Sequence, residues 1–263
     1  MILTRMPSAV VIAAGAGRRL RHTSADAEIV KPLTPVLGVP LIVRTLRTLR
    51  DEGVERTVIV TGYQAEEVEA LLACEPSLAP MALQFVRNPE WQKQNGLSVL
   101  AARAAIDGEP FLLSMADHLY EGDLVQALQR APRAPRELLL GVDRRVGAVP
   151  DPEDAMWVRL RPDGRISDIG KGLPSYDAVD TGVFVADRSL FEALDAESRA
   201  RGGDCALADG VRRLALQGLA RGVDTGEAWW YDVDTRADLL RAERRLLAGP
   251  REHPRDGLTG LAK

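Results

Sequence analysis

Cysteine, histidine, lysine and aromatic residues are all scarce in this 263-residue chain. The two cysteines, Cys74 and Cys205, stand far apart with no Cys-x-x-Cys spacing. That argues against a disulfide framework or a structural zinc site and fits a reducing cytoplasm. The three histidines, His22, His118 and His253, are too scattered for a histidine-based metal centre. Long apolar runs are missing as well, so no segment is expected to insert in a membrane. The Val-Val-Ile run ahead of Arg18 and Arg19 is too short for a signal-peptide core and reads as a first strand. There is no basic excess: a net charge of −4 argues against a generic nucleic-acid or membrane-surface binder. Lysine is the sharpest shortage, since of 34 basic residues only Lys31, Lys93, Lys171 and Lys263 are lysines. Nucleotide bias explains most of this. Where arginine is the default, however, a retained lysine marks a position that needs a compact ammonium.

What is present is a chain of 46% hydrophobic residues, enough to bury one large core. Strands alternate with helices, which predicts an α/β fold with a largely parallel sheet. Strands are expected at 9–12, 56–61, 83–86, 110–115, 138–140, 179–185 and 229–233. Helices are expected at 39–52, 65–74, 97–106 and 236–247, with further helix within 187–217. A hairpin over 156–169 turns at Asp163-Gly164, and residues 143–154 read as a mobile flap. One domain is expected over 1–247, with 248–263 as a flexible tail.

The most informative stretch is Ala13-Ala14-Gly15-Ala16-Gly17-Arg18-Arg19, followed by Lys31-Pro32-Leu33. Small residues after a buried strand let backbone N–H groups close around an anion, and Arg19 and Lys31 add positive charge. It is not a dinucleotide fingerprint, because Leu20 takes the third glycine position and no acidic residue follows a second strand; nor does it end as a Walker loop does. Asp117 directly follows an apolar strand, where open α/β sheets bind ligands, although aspartate also caps helices there. Asp232 and Asp234 share one face of a strand, unless Asp234 caps the next helix. Together these three carboxylates offer the hard oxygen ligands that Mg2+ prefers. Taken singly, Lys171 after Ile169-Gly170 and Asp180-Thr181-Gly182 are ordinary hairpin and turn residues.

In this order the motifs, with Asn95-Gly96-Leu97-Ser98 and Met115-Ala116-Asp117-His118, closely resemble the sugar-nucleotidyltransferase family, over about residues 8–247. Within it the chain looks most like the CTP:inositol-1-phosphate cytidylyltransferases. The resemblance implies a three-layer α/β/α fold and transfer of CMP from CTP to inositol-1-phosphate, giving CDP-inositol and pyrophosphate. It assigns Arg19 and Lys31 to the triphosphate, Lys171 to the acceptor phosphate, and Asp180 and Thr181 to acceptor hydroxyls. Ala13, Ala14, Gly15 and Gly17 would meet the nucleotide through backbone groups, with Asn95 and Gly96 completing the base pocket. Asp117 and Asp234 would hold magnesium, with Asp232 beside them.

Two positions depart from the family pattern. Arg18 replaces the usual Ser or Thr before the loop arginine, so it either adds a phosphate contact or faces solvent. Val30 replaces a common proline after a longer polar segment, 22–28, expected to move on nucleotide binding. The competing readings are the same chemistry on phosphocholine, or on glucose-1-phosphate with dTTP, CTP or UTP, and a non-catalytic nucleotide-binding regulator on the same fold. Only 5% of residues are aromatic, which disfavours a choline box. In the family this activity often occurs fused to a membrane transferase that consumes CDP-inositol. Here such a partner is expected as a separate chain, and oligomer formation stays open.

Overall fold

The computed structural model of the chain describes residues 6–21, 30–106, 108–149 and 151–249, without the side chains of Arg18 and Arg21. The polar segment 22–28 and residues 250–263 of the expected tail therefore lie outside the described residues, as does the role of the Arg18 side chain.

The first half of the chain runs β1 (Ser8–Ala13), α1 (Arg18–Arg21), β2 (Pro35–Val36), β3 (Val39–Pro40), α2 (Leu41–Asp51), β4 (Arg56–Thr61), α3 (Ala65–Ala73) and β5 (Ala82–Arg87). It continues through α4 (Asn95–Ala101), β6 (Phe111–Met115), β7 (His118–Tyr120), α5 (Gly122–Arg130) and β8 (Leu138–Asp143). The second half adds β9 (Trp157–Leu160), β10 (Ile166–Gly170), β11 (Ala178–Ala186), α6 (Arg188–Ala200), α7 (Leu207–Leu216), β12 (Ala220–Asp224), β13 (Trp230–Asp232) and α8 (Arg236–Leu247).

Nine strands form one sheet, along the path β10-β9-β11-β6-β1-β4-β5, with β8 pairing β11 and β12. β1 lies parallel to both β4 and β6, and β4 to β5, whereas β11 runs antiparallel to β6 and β8. The sheet is thus mixed and three-layered, as the alternation of elements implies. Successive residues of β1 point to opposite faces. Val10 and Ile12 pack on the side of α4, α6 and α7, and Ala9 and Val11 on the side of α2, α3 and α5. Both faces of β1 are covered, which is why it reads as an unbroken apolar run. α2 buries Leu41, Ile42, Val43, Thr45, Leu46 and Leu49.

Four strands were not evident in the sequence: the two-residue β2 and β3, which pair with each other just ahead of α2, and β7 and β12. β12 (Ala-Arg-Gly-Val-Asp) carries little apolar signal, yet it pairs in parallel with β8 along its full length. β7 is three residues long and pairs antiparallel with β13, placing His118 opposite Asp232, Leu119 opposite Tyr231 and Tyr120 opposite Trp230. This small ladder lies apart from the main sheet and covers a third cluster of Val36, Leu41, Leu119, Val233 and Ala242. No described helix is long and apolar enough to cross a membrane.

Candidate active site

The carboxyl ends of β1 and β6 open into a cleft, because the chain turns away from the sheet after each strand. The sharpest turn, Gly15 to Gly17, brings the backbone against Lys31. Gly17 has φ +58°, and a Cβ there would stand 2.3 Å from the Lys31 Cβ, so the loop and the lysine can meet this closely only at a glycine. Beneath the loop lies a hollow of about 270 Å³ bordered by Ala13, Gly15, Gly17, Arg19, Lys31 and Asp117. It adjoins a main cleft of about 620 Å³, and Gly15, Arg19, Asp117 and Asp234 line both.

The β7–β13 ladder brings the acidic residues together. The Val233 amide donates to the Asp117 carbonyl at 3.1 Å, which places Asp117 beside Asp232 and Asp234. Neither alternative capping role is taken. Asp117 leads into β7, and the cap of α8 is Thr235, whose hydroxyl accepts from the Asp238 amide. The freed carboxylates surround Lys31, whose Nζ lies 2.6 Å from both Asp117 Oδ2 and Asp234 Oδ1 and 3.8 Å from Asp232 Oδ1. Lys31 itself is only 7% exposed. Burial opposes its charge, but the three carboxylates more than offset this and hold its pKa above the ordinary lysine value. Arg19 pairs with Asp234 at 2.8 Å from the exposed side.

His118 is part of the same cluster, although its sequence position gave no sign of it. Its Nδ1 lies 2.9 Å from Asp117 Oδ1 and 3.8 Å from Asp232 Oδ1, and its ring stacks on Trp230. Burial would lower its pKa; the two carboxylates reverse that and raise it to about 9. Trp230 is fixed in turn by Asp143, which accepts its indole N–H at 2.8 Å and also accepts from Arg145. Asp143 therefore belongs to an ordered wall of the cleft and not to a flap.

The donors present fit a divalent cation. Asp117, His118 and Asp232 have ligand atoms within 4.8 Å of one another. Asp232 Oδ1 is buried without a hydrogen-bond partner, so its lone pairs are available to a cation. Burial and the neighbouring Asp117 push the Asp232 carboxyl up to about 7, despite the opposing pull of His118 and Lys31. Asp117 is held far below the usual carboxylate range: Lys31 and His118 outweigh its burial.

Across the cleft, Lys171 directly follows β10 and is ion-paired with Asp154, which also accepts from Arg19. Asp154 lay within the expected flap, and nothing in its local sequence marked it. Asp180 borders the cleft, its Oδ1 accepting the Gly182 amide at 2.7 Å; burial raises its pKa to about 6.

Three expected site residues are placed elsewhere. Thr181 is fully buried and donates its hydroxyl to the Gly141 carbonyl at 2.8 Å, so it faces β8 and not the cleft. Asp180 and Thr181 are neighbours on β11 and therefore point to opposite faces of the strand. Gly96 is buried against the 205–207 loop, its amide donating to the Cys205 carbonyl, while Asn95 does line the cleft. Ala14 is buried with its carbonyl taken by the Tyr63 amide.

Residues 9–214 match the MobA-like NTP transferase domain model. A bifunctional IPC transferase and DIPP synthase of Rubrobacter xylanophilus is 37% identical over 91% of this chain and 52% of its own length. A protein of the same description from Archaeoglobus fulgidus is 33% identical over 96% of this chain and 46% of its own. The chain thus spans about half the length of these curated relatives. The structure of the inositol-1-phosphate CTP transferase from T. maritima superposes with a TM-score of 0.80 at 27% identity, covering 92% of this chain and 95% of that one.

Proposed function

Because the chain belongs to the MobA-like NTP transferase domain family, we propose that it transfers CMP from CTP to inositol-1-phosphate, releasing pyrophosphate and forming CDP-inositol. The observation that carries this reading is the shared border of the two hollows. The acidic cluster and Arg19 lie between the space under the glycine loop, sized for phosphates, and the lobe holding Lys171 and Asp180. The likeness to the T. maritima enzyme supports the choice of CTP and inositol-1-phosphate.

In this reading an oxygen of the acceptor phosphate attacks the α-phosphorus in line as the bond to the β-phosphate oxygen breaks. No protein nucleophile is needed, and the protein contributes position and charge. The loop from Gly15 to Gly17 receives the phosphates, Arg19 steadies the charge that gathers on pyrophosphate, and Lys171 holds the acceptor phosphate. Lys31, enclosed by carboxylates, keeps Asp117 ionised and holds both Asp117 and Asp234 in place. Asp180 receives a ring hydroxyl. Of the three carboxylates expected to hold Mg2+, Asp117 and Asp232 converge with His118 and would hold it, whereas both oxygens of Asp234 are taken by Lys31 and Arg19; the cation would neutralise phosphate charge when bound.

The test is pyrophosphate release from a panel crossing CTP, UTP and dTTP with inositol-1-phosphate, glucose-1-phosphate and phosphocholine. Release with CTP and inositol-1-phosphate is expected. Release confined to another pair would replace the substrates, and none from any pair would favour the regulator.

A further inference from the structure

We propose that Asp154 is an internal stand-in for a substrate phosphate: it holds Arg19 and Lys171 together across the cleft mouth until a phosphorylated ligand displaces it. The two cations come from opposite sides of the cleft, one following the glycine loop and the other following β10. Each has a side chain 53% exposed, and each turns to the same carboxylate, Arg19 to Oδ2 and Lys171 to Oδ1. Two acceptor oxygens shared between a guanidinium and an ammonium match what a phosphate would present to the same pair. Burial would raise the Asp154 pKa, but Lys171 and Arg19 lower it, so the stand-in is charged.

The segment bearing Asp154 is shaped to deliver it. The Asp154 amide donates to Asp151 Oδ1 at 3.3 Å, and the Ala155 amide to the Asp151 carbonyl at 3.2 Å, which forms a turn. The Trp157 indole N–H donates to the Pro152 carbonyl at 3.1 Å, tying that turn to the start of β9. The Trp157 ring stacks on Tyr176 with centroids 3.9 Å apart, which anchors the base of the strap. Asp151, Asp154, Ala155 and Met156 all face the cleft. Ion pairs this exposed are weak. A phosphate carrying more charge therefore exchanges for Asp154 readily and leaves the strap free to move.

This inference rests on assigning Arg19 and Lys171 to substrate phosphates, but its test reads pyrophosphate binding alone and is independent of which substrates are turned over. Calorimetry with pyrophosphate is expected to show about three- to tenfold tighter binding to Asp154→Asn than to the unaltered protein, since the internal competitor is gone. Equal or weaker binding would overturn the proposal, weaker binding meaning that Asp154 instead organises the two cations. In the unaltered protein, saturating pyrophosphate is expected to speed amide hydrogen exchange over residues 151–156, and unchanged exchange there would also overturn it. Failure of the substrate panel leaves both measurements intact.

Discussion

Around Lys31, a single side chain gathers three others. A buried ammonium with carboxylates at 2.6 Å on two sides loses much of its compensation when either partner is removed. Asp117→Asn is expected to lower turnover by about a hundredfold or more by removing charge where phosphates bind. Near-normal pyrophosphate release by this variant would take Asp117 out of the site. Lys171→Ala is expected to raise KM for the acceptor phosphate about tenfold while barely changing that for CTP; a change confined to CTP would reverse the two subsites.

Asp180 gives a pH signature. Its folded pKa of about 6 lies above that of an unfolded aspartate, so the folded protein holds the proton more tightly. The stability linked to this proton is fully present at low pH and lost as pH rises to about 6. Asp180→Asn, which cannot ionise, is expected to escape this loss. The difference in stability between variant and parent should therefore move in the variant's favour by on the order of 2 kcal/mol between pH 4 and pH 7. A difference independent of pH would show that Asp180 is solvated. Lys31, Asp117, Lys171 and Asp234 were legible in the sequence because each sits in a short motif of fixed order. Asp154 was not, because its partners Arg19 and Lys171 come from other segments; His118 stood in a quoted motif beside Asp117, but its contacts to Asp232 and Trp230 exist only in the folded chain.

Among the elements, the short strands decide where the chemistry lies. The bulge in β11 gives Gly182 a φ of +77°, and a Cβ there would lie 2.5 Å from the His118 ring. Gly182→Ala is thus expected to cost about 2–3 kcal/mol, by strain and by displacing His118. Gly226 has φ +60° with nothing within 4 Å, so Gly226→Ala carries the strain alone and is expected to cost about 1 kcal/mol. Thermal melts of the two variants check the ordering, and equal losses would mean that His118 yields without cost. The same elements show where sequence reading stops. β4 and α8 stand where apolar periodicity and end signals put them, at Arg56–Thr61 and Arg236–Leu247. β7 and β12 are too short or too polar to announce themselves, and only their ladders define them. Thr181 was misplaced for another reason: the resemblance gave it the same role as Asp180, although neighbours on a strand point to opposite faces.

In the molecule as a whole, a nine-stranded sheet supplies the frame, and a separate two-stranded ladder completes the site. The two are separable by substitution. Val233→Pro removes the amide that donates to the Asp117 carbonyl, along with a side chain from the small cluster around α8. Turnover is expected to fall more than tenfold while far-UV circular dichroism stays close to that of the parent. Full activity would show that the ladder is dispensable. The pairing of β7 with β13 also has a consequence during synthesis. Lys31 and Asp117 leave the ribosome well before Asp232 and Asp234, by about 10 s at ordinary elongation rates. An unfinished chain therefore carries the glycine loop, Lys31 and Asp117 without Asp232 and Asp234, and the carboxylate cluster closes only once the segment from β13 to Asp234 has been translated.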